Sequence, residues 1–120
     1  MRKQAGIVAG LLVAALWVPF VAADEVHTVA QLSQAPAELE GESVRLEGIV
    51  GQVNEDIMGV NFIHFVDGTG NEGDYITITS TELPEVGDRV SVMGTLVLER
   101  DFGAGYTYPV LIEDAEFTER

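Results

Sequence analysis

The sequence predicts a mainly β domain: a five-stranded barrel preceded by a short amino-terminal helix. Three observations carry this reading. Met58–Gly70 (MGVNFIHFVDGTG) drives an alternating, aromatic-rich run into an Asp-Gly-Thr-Gly turn, and Asp74–Ser80 follows with a second strand pattern, so the two read as a hairpin. Arg89–Glu99 alternates with period two, placing Val90, Val92, Gly94, Leu96 and Leu98 inward and Arg89, Ser91, Met93, Thr95 and Val97 outward. The one helical pattern after residue 23 is too short to be stable alone and must pack on the sheet.

The chain begins with Arg2 and Lys3, an apolar run over Ile7–Val18, a break at Pro19 and small residues at Val21-Ala22-Ala23. That is the secretory signal pattern, with cleavage expected between Ala23 and Asp24. The apolar core is shorter than the roughly 20 residues a membrane span needs. The expected plan is a signal peptide over 1–23, a short helical segment over 24–42 and a β-barrel domain over 43–120. The expected location is periplasmic or secreted, with no membrane attachment after cleavage.

Within 24–42, Thr28 is placed to cap a turn over Val29–Gln34, with Val29 and Leu32 on one face. Pro36 ends that turn, and Ala37–Glu40 makes one more before Gly41. Ser43–Val53 is the first strand pattern, with Val44, Leu46, Gly48 and Val50 on one face and Arg45, Glu47 and Ile49 on the other. Gly48 inside it predicts the bend or bulge a barrel strand needs. Asn54-Glu55-Asp56 reads as a polar loop.

In the second strand, Val60–Asp67, Ile63 and Phe65 face the core while Val60, Phe62, His64 and Val66 face away. Both faces are largely apolar, unlike a strand half-exposed to water. The second face is therefore covered by the protein's own helix, a partner or a ligand. Ile76 and Ile78 join the core in the third strand, leaving Tyr75, Thr77 and Thr79 beside His64. Thr81–Asp88 is a connection, Arg100–Tyr106 (RDFGAGY) a glycine-rich loop, and Thr107–Phe117 the last strand, with Pro109 at an edge.

Composition narrows function more than fold. The chain carries a net charge of −14 and no cysteine. Beyond residue 23 it keeps all 20 acidic residues and only four basic ones, Arg45, Arg89, Arg100 and Arg120. Such a surface repels phosphate backbones and anionic membranes. It suits high external salt, where screening relieves the self-repulsion. The missing cysteines exclude a disulfide, a thiolate metal site and a lipidated amino-terminal cysteine. Ser33, Ser43, Ser80 and Ser91 lack any motif that activates a nucleophile, so no enzyme is expected.

His64 is the histidine inside the sheet pattern, flanked by Phe62 and Tyr75; a hydrogen-bonded structural histidine is favoured over a catalytic or metal role. Met58, Met93 and the two histidines offer only a thin soft-metal set. Asp67–Asp74 spaces oxygen ligands somewhat like a calcium loop, but Glu72 stands where such a loop needs glycine and Ile78 where it needs glutamate. Asp101-Phe102-Gly103 spells a kinase motif with none of its companions. Phe102, Tyr106 and Tyr108 either stack on a planar ligand, cap the open end of the barrel or hold the amino-terminal helix in place, a structural role being the plainer one.

Met58–Gly70 and Asp101–Ala115 (DFGAGYTYPVLIEDA), with Thr28–Leu32 (TVAQL) ahead of a glycine-containing strand, resemble a group of small exported bacterial proteins with the oligonucleotide/oligosaccharide-binding (OB) fold. Those proteins carry MGxNWIHxxDGTG and DFGAGYxYPVxIEDA; here Phe62 stands at the tryptophan. The resemblance implies a five-stranded barrel whose second and third strands, with flanking loops, form the binding face. It also implies nucleic-acid binding by fold, or an accessory role beside exported redox enzymes. The combined expectation is a non-catalytic binding module without a cofactor. It takes a small ligand or protein partner on Phe62, His64, Tyr75, Phe102, Tyr106 and Tyr108. Single-strand nucleic-acid binding and a structural or oligomerisation role are the rivals.

Overall fold

The computed structural model describes residues 25–120; the predicted signal segment, 1–23, lies outside them. The chain is mainly β: strands β1 (Ser43–Ile57), β2 (Val60–Val66), β3 (Ile76–Ser80), β4 (Arg89–Asp101) and β5 (Thr107–Glu119) follow a four-residue helix, α1 (Val29–Leu32), and a single 3₁₀ turn over Ala37–Leu39. The strands close in the order β1-β2-β3-β5-β4. All neighbours are antiparallel except β3 and β5, which meet at one parallel bridge, Ile78 to Ile112. Where that ladder is thinnest, the Ser80 hydroxyl donates to the Ala115 carbonyl at 2.6 Å.

β1 closes the barrel by serving two partners. Its first half, Ser43–Ile49, pairs with β4, and from Ile49 onward it pairs with β2. The strand turns from one neighbour to the other at Gly48, where the backbone passes against the Val66 carbonyl and the Phe65 ring. A register shift between Val50 and Gln52 adds to the bend.

The interior is filled by the residues the alternation assigns to it: Val44, Leu46 and Val50 from β1, Ile63 and Phe65 from β2, Ile76 and Ile78 from β3, and Val90, Val92 and Leu96 from β4. Val29 and Leu32 of α1 enter the same cluster, fully buried. Phe62 and Leu111 are also buried but stand outside it. Burial therefore extends to the outer side of the sheet.

Two local expectations are corrected. Asn54-Glu55-Asp56 is not a loop. β1 continues through it, Asn54 opposing Phe62 and Ile57 opposing Val60 across an irregular step. The tight hairpin turn is Met58-Gly59, both at positive φ (53° and 87°) as a two-residue primed turn requires. Met-Gly lacks the usual Asn-Gly signature, whereas Asp67-Gly-Thr-Gly, which has the turn residues, opens a long connection reaching to Tyr75. Asn61 braces the real tip: its side-chain oxygen accepts the Asp56 amide at 2.9 Å and its amide nitrogen donates to the Glu82 carbonyl at 2.9 Å.

The Asp-Gly-Thr-Gly segment serves α1. A four-residue helix exposes first-turn amides with no partners of its own. Thr28 and Gln31 form a capping box that satisfies the Thr28 and Gln31 amides. The other two reach across to the loop: the Val29 amide donates to Asp67 Oδ2 at 2.9 Å and the Ala30 amide to Thr69 Oγ1 at 3.0 Å. Asp67 Oδ1 in turn accepts from the Thr69 amide and hydroxyl. Among the described residues, no helix is long and apolar enough to cross a membrane.

Candidate binding groove

On the outer side of the barrel, the β1–β2 tip and the β4–β5 loop frame a groove of about 350 Å3. The tip contributes Asn54, Ile57 and Met58, β2 contributes Phe62 and His64, and the far wall is Phe102, Gly103, Ala104, Tyr106 and Tyr108. The far wall owes its shape to the glycines. Gly103 and Gly105 take φ of 86° and 84°, the Phe102 amide donates to the Tyr106 carbonyl at 2.8 Å, and Asp101 Oδ1 accepts the Gly103 amide at 2.7 Å. Phe102 and Tyr106 are thereby held together at the base of the loop.

The β4–β5 hairpin, rather than the helix, covers Phe62. The Phe62 ring meets Phe102 at 5.6 Å and 62° and Tyr108 at 5.8 Å and 44°, while Phe102 and Tyr108 cross edge-to-face at 5.8 Å and 86°. Tilted contacts at these separations are the favoured geometry for aromatic rings. They leave Phe62 only 4% exposed. Residues 25–42 line no part of the groove, because α1 is pinned elsewhere, by Asp67 and Thr69.

Five of the six expected contact residues, Phe62, His64, Phe102, Tyr106 and Tyr108, therefore share one groove. Tyr75 is not in its wall; it stacks flat on His64, centroids 4.0 Å apart and planes 11° from parallel. The sequence pattern gives no sign of Asn54, Ile57 and Met58 as a wall, because the polar Asn54-Glu55-Asp56 run interrupts the alternation after Val53. The rim is apolar and open: Met58 is 59% exposed, Tyr106 63% and Ile57 40%. Three such side chains around one concavity form a patch, unlike scattered exposed apolar residues.

Burial without a charged partner lowers the His64 pKa below its ordinary value of about 6.5. The imidazole is therefore neutral at pH 7. The unfolded chain takes up this proton more readily than the folded one, so stability is lost as pH falls below about 6.5 towards the folded-state value. Urea unfolding at pH 7.5 and pH 5 should show that loss, and His64→Gln should lose less over the same interval. The shared carboxylate contribution cancels in the comparison.

A larger concavity of about 670 Å3 lies between β1, β2 and β4, lined by Glu47, Gly48, Ile49, Val66, Asp67, Gly68, Arg89 and Arg120. Its charges face one another: Glu47 takes Arg120 at 2.6 Å and Arg45 at 3.7 Å. Three of the four arginines thus sit around this cleft or its glutamate, and the fourth, Arg100, is 2.9 Å from Glu113. The aromatic surface and the cluster of cations occupy different places. The smaller groove has the unsatisfied apolar surface and is the better candidate.

No family model matches the chain, and no curated protein matches it, so the function is read from the geometry of the groove itself.

Proposed function

We propose that the protein is a non-catalytic binding module of the OB type, exported to the periplasm or secreted, whose ligand enters the groove between the β1–β2 tip and the β4–β5 loop. The observation that carries this reading is the open aromatic wall of Phe102, Tyr106 and Tyr108 facing Met58 and Ile57 over a floor of Phe62. Asn54, His64 and the tyrosine hydroxyls supply a few polar handles, the usual composition of a recognition pocket. The strand order β1-β2-β3-β5-β4 supports the OB reading, as does the position of the groove between the loops that flank an OB binding face. Export is supported by the basic-apolar-small pattern of residues 1–23.

The test is chemical-shift mapping with p-cresol and indole as probes. Both are expected to move the signals of Ile57, Met58, Phe62 and Phe102. Tyr106→Ala should weaken them about five-fold, the loss of one stacking contact. Because Tyr106 is exposed, Tm should stay within a degree or two, about the effect of a surface substitution. Shifts confined to other surfaces would overturn the proposal. A salt-sensitive affinity for labelled oligothymidine would replace it with nucleic-acid binding, and a stable dimer lost on Tyr106→Ala would replace it with self-association. The nucleic-acid reading is the weaker, since a single-strand track needs stacking rings and cations together.

A further inference from the structure

Resting on the reading of the groove as a binding site, the geometry points to an organic cation of the quaternary-ammonium class as its occupant. Three independent features converge. The first is the wall: four aromatic rings, Phe62, Phe102, Tyr106 and Tyr108, line one small space, and aromatic faces attract cations through their negative quadrupole. The second is charge. No lysine or arginine lines the groove, while the hairpins that form it carry exposed Glu55, Asp56, Glu99 and Asp101 within a chain of net charge −14. An anion would enter against that field and a cation with it.

The third is the protein's own use of the wall. The Arg100 guanidinium carbon sits 4.9 Å from the centre of the Phe102 ring, so this aromatic cluster already holds a cation on one side. Arg100 lies against Glu113, which offsets its charge towards a second cation. The neutral imidazole of His64 adds no repulsion at pH 7.

The same features select among cations. A metal ion needs converging donors, and among the described residues no group of three His, Asp or Glu side chains is placed to hold one. Met58 and His64 both line the groove, but two donors alone make a thin set for a metal ion. Small inorganic cations also keep their water tightly. A quaternary ammonium sheds water at little cost and offers methyl groups to the rings, which is how aromatic cages recognise it. A space of about 350 Å3 suits a ligand of that size.

The experiment is a shift titration of protein expressed from the full sequence with choline chloride, beside neohexyl alcohol, the uncharged analogue with carbon in place of the nitrogen. Sodium chloride holds the ionic strength constant. Choline is expected to move the Phe62, Phe102, Tyr106 and Tyr108 signals and to bind roughly ten-fold or more tightly than the alcohol. Tyr106→Ala should remove most of that preference. Equal affinities would overturn the cation preference and leave the groove as an apolar site. So would binding of p-cresol and indole without choline, or binding of an oligolysine peptide without choline. If none of the probes shifts the groove signals, the binding-site reading fails together with the cation.

Discussion

Gly48→Ala is expected to destabilise the protein by about 3 kcal/mol or more, among the largest effects of any single methyl group in this chain. The added carbon would meet the Val66 carbonyl oxygen and two atoms of the Phe65 ring, both at 3.0 Å. The carbonyl is the decisive obstacle. It is backbone, it belongs to the strand paired with β1, and moving it separates the strands where β1 changes partners. Phe65 offers no relief, since its ring fills the barrel interior at 0% exposure. With total stability on the order of 5–15 kcal/mol for a domain of this size, such a loss lowers the urea midpoint sharply. Two controls make the result specific. Gly51→Ala, in the same strand, meets nothing closer than 3.4 Å and should cost under about 1 kcal/mol. Phe65→Leu combined with Gly48→Ala should not restore stability, because the carbonyl contact persists. A Gly48→Ala protein with an unchanged midpoint would show that the strand crossing can widen freely.

The expectation of a glycine at a bend in β1 came from a residue out of place in an alternating pattern, and that kind of signal proved legible throughout the strands. Val44, Leu46, Val50, Ile63, Phe65, Ile76, Ile78, Val90, Val92 and Leu96 lie in the interior as period two assigns them, because a strand facing a packed core has no freedom in which side chain it buries. Turn chemistry was less legible. Met58 adopts φ 53° without being a residue that favours it, since the pairing on either side of the tip and the Asn61 brace impose the conformation from outside. Residue propensity alone puts the tight turn at the glycines after Asp67 and ends β1 early. Asn54, Ile57 and Met58, three of the ten residues that line the groove, lie beyond that point.

The covering of Phe62 shows the same limit in another form. Two apolar faces on β2 were visible in the sequence, and the inference that something covers the outer one was sound. The cover itself, Phe102 from the β4–β5 loop and Tyr108 from the start of β5, comes from residues about forty or more positions away, brought back by a turn that depends on Gly103 and Gly105. The aromatic letters were legible; their convergence on Phe62 was a tertiary fact. Tyr75 failed in the opposite sense. Its neighbourhood to His64 was read correctly, yet stacking on that ring uses it up outside the groove.

Asp67→Ala is expected to cost about 2–4 kcal/mol, and to do so by releasing one end of the chain rather than by loosening the barrel uniformly. Asp67 accepts the Val29 amide through one oxygen and the Thr69 amide and hydroxyl through the other. Alanine would leave the partly buried Val29 amide without an acceptor. It would also leave Thr69 free to rotate away from the Ala30 amide, so both cross-loop caps of α1 are lost together. A helix of four residues has no internal reserve with which to absorb that. Thr69→Val removes the Ala30 contact and the hydroxyl's bond to Asp67 but keeps the Thr69 amide on Asp67 and the Val29 cap, and should cost roughly 1–2 kcal/mol. Asp67→Asn falls between, because its amide group can accept on one side only. Hydrogen exchange distinguishes this mechanism from global unfolding: the Val29 and Ala30 amides should lose protection first, while those of β1 and β4 persist. Val29 and Leu32 are interior side chains, so release of α1 uncovers part of the core and the cost exceeds that of the hydrogen bonds alone. The groove wall contains nothing from 25–42, so probe binding to it should survive in Asp67→Ala at temperatures where the barrel persists. If the groove and α1 lose order together at every temperature, the two are one cooperative unit, and Asp67 supports the site as well as the helix.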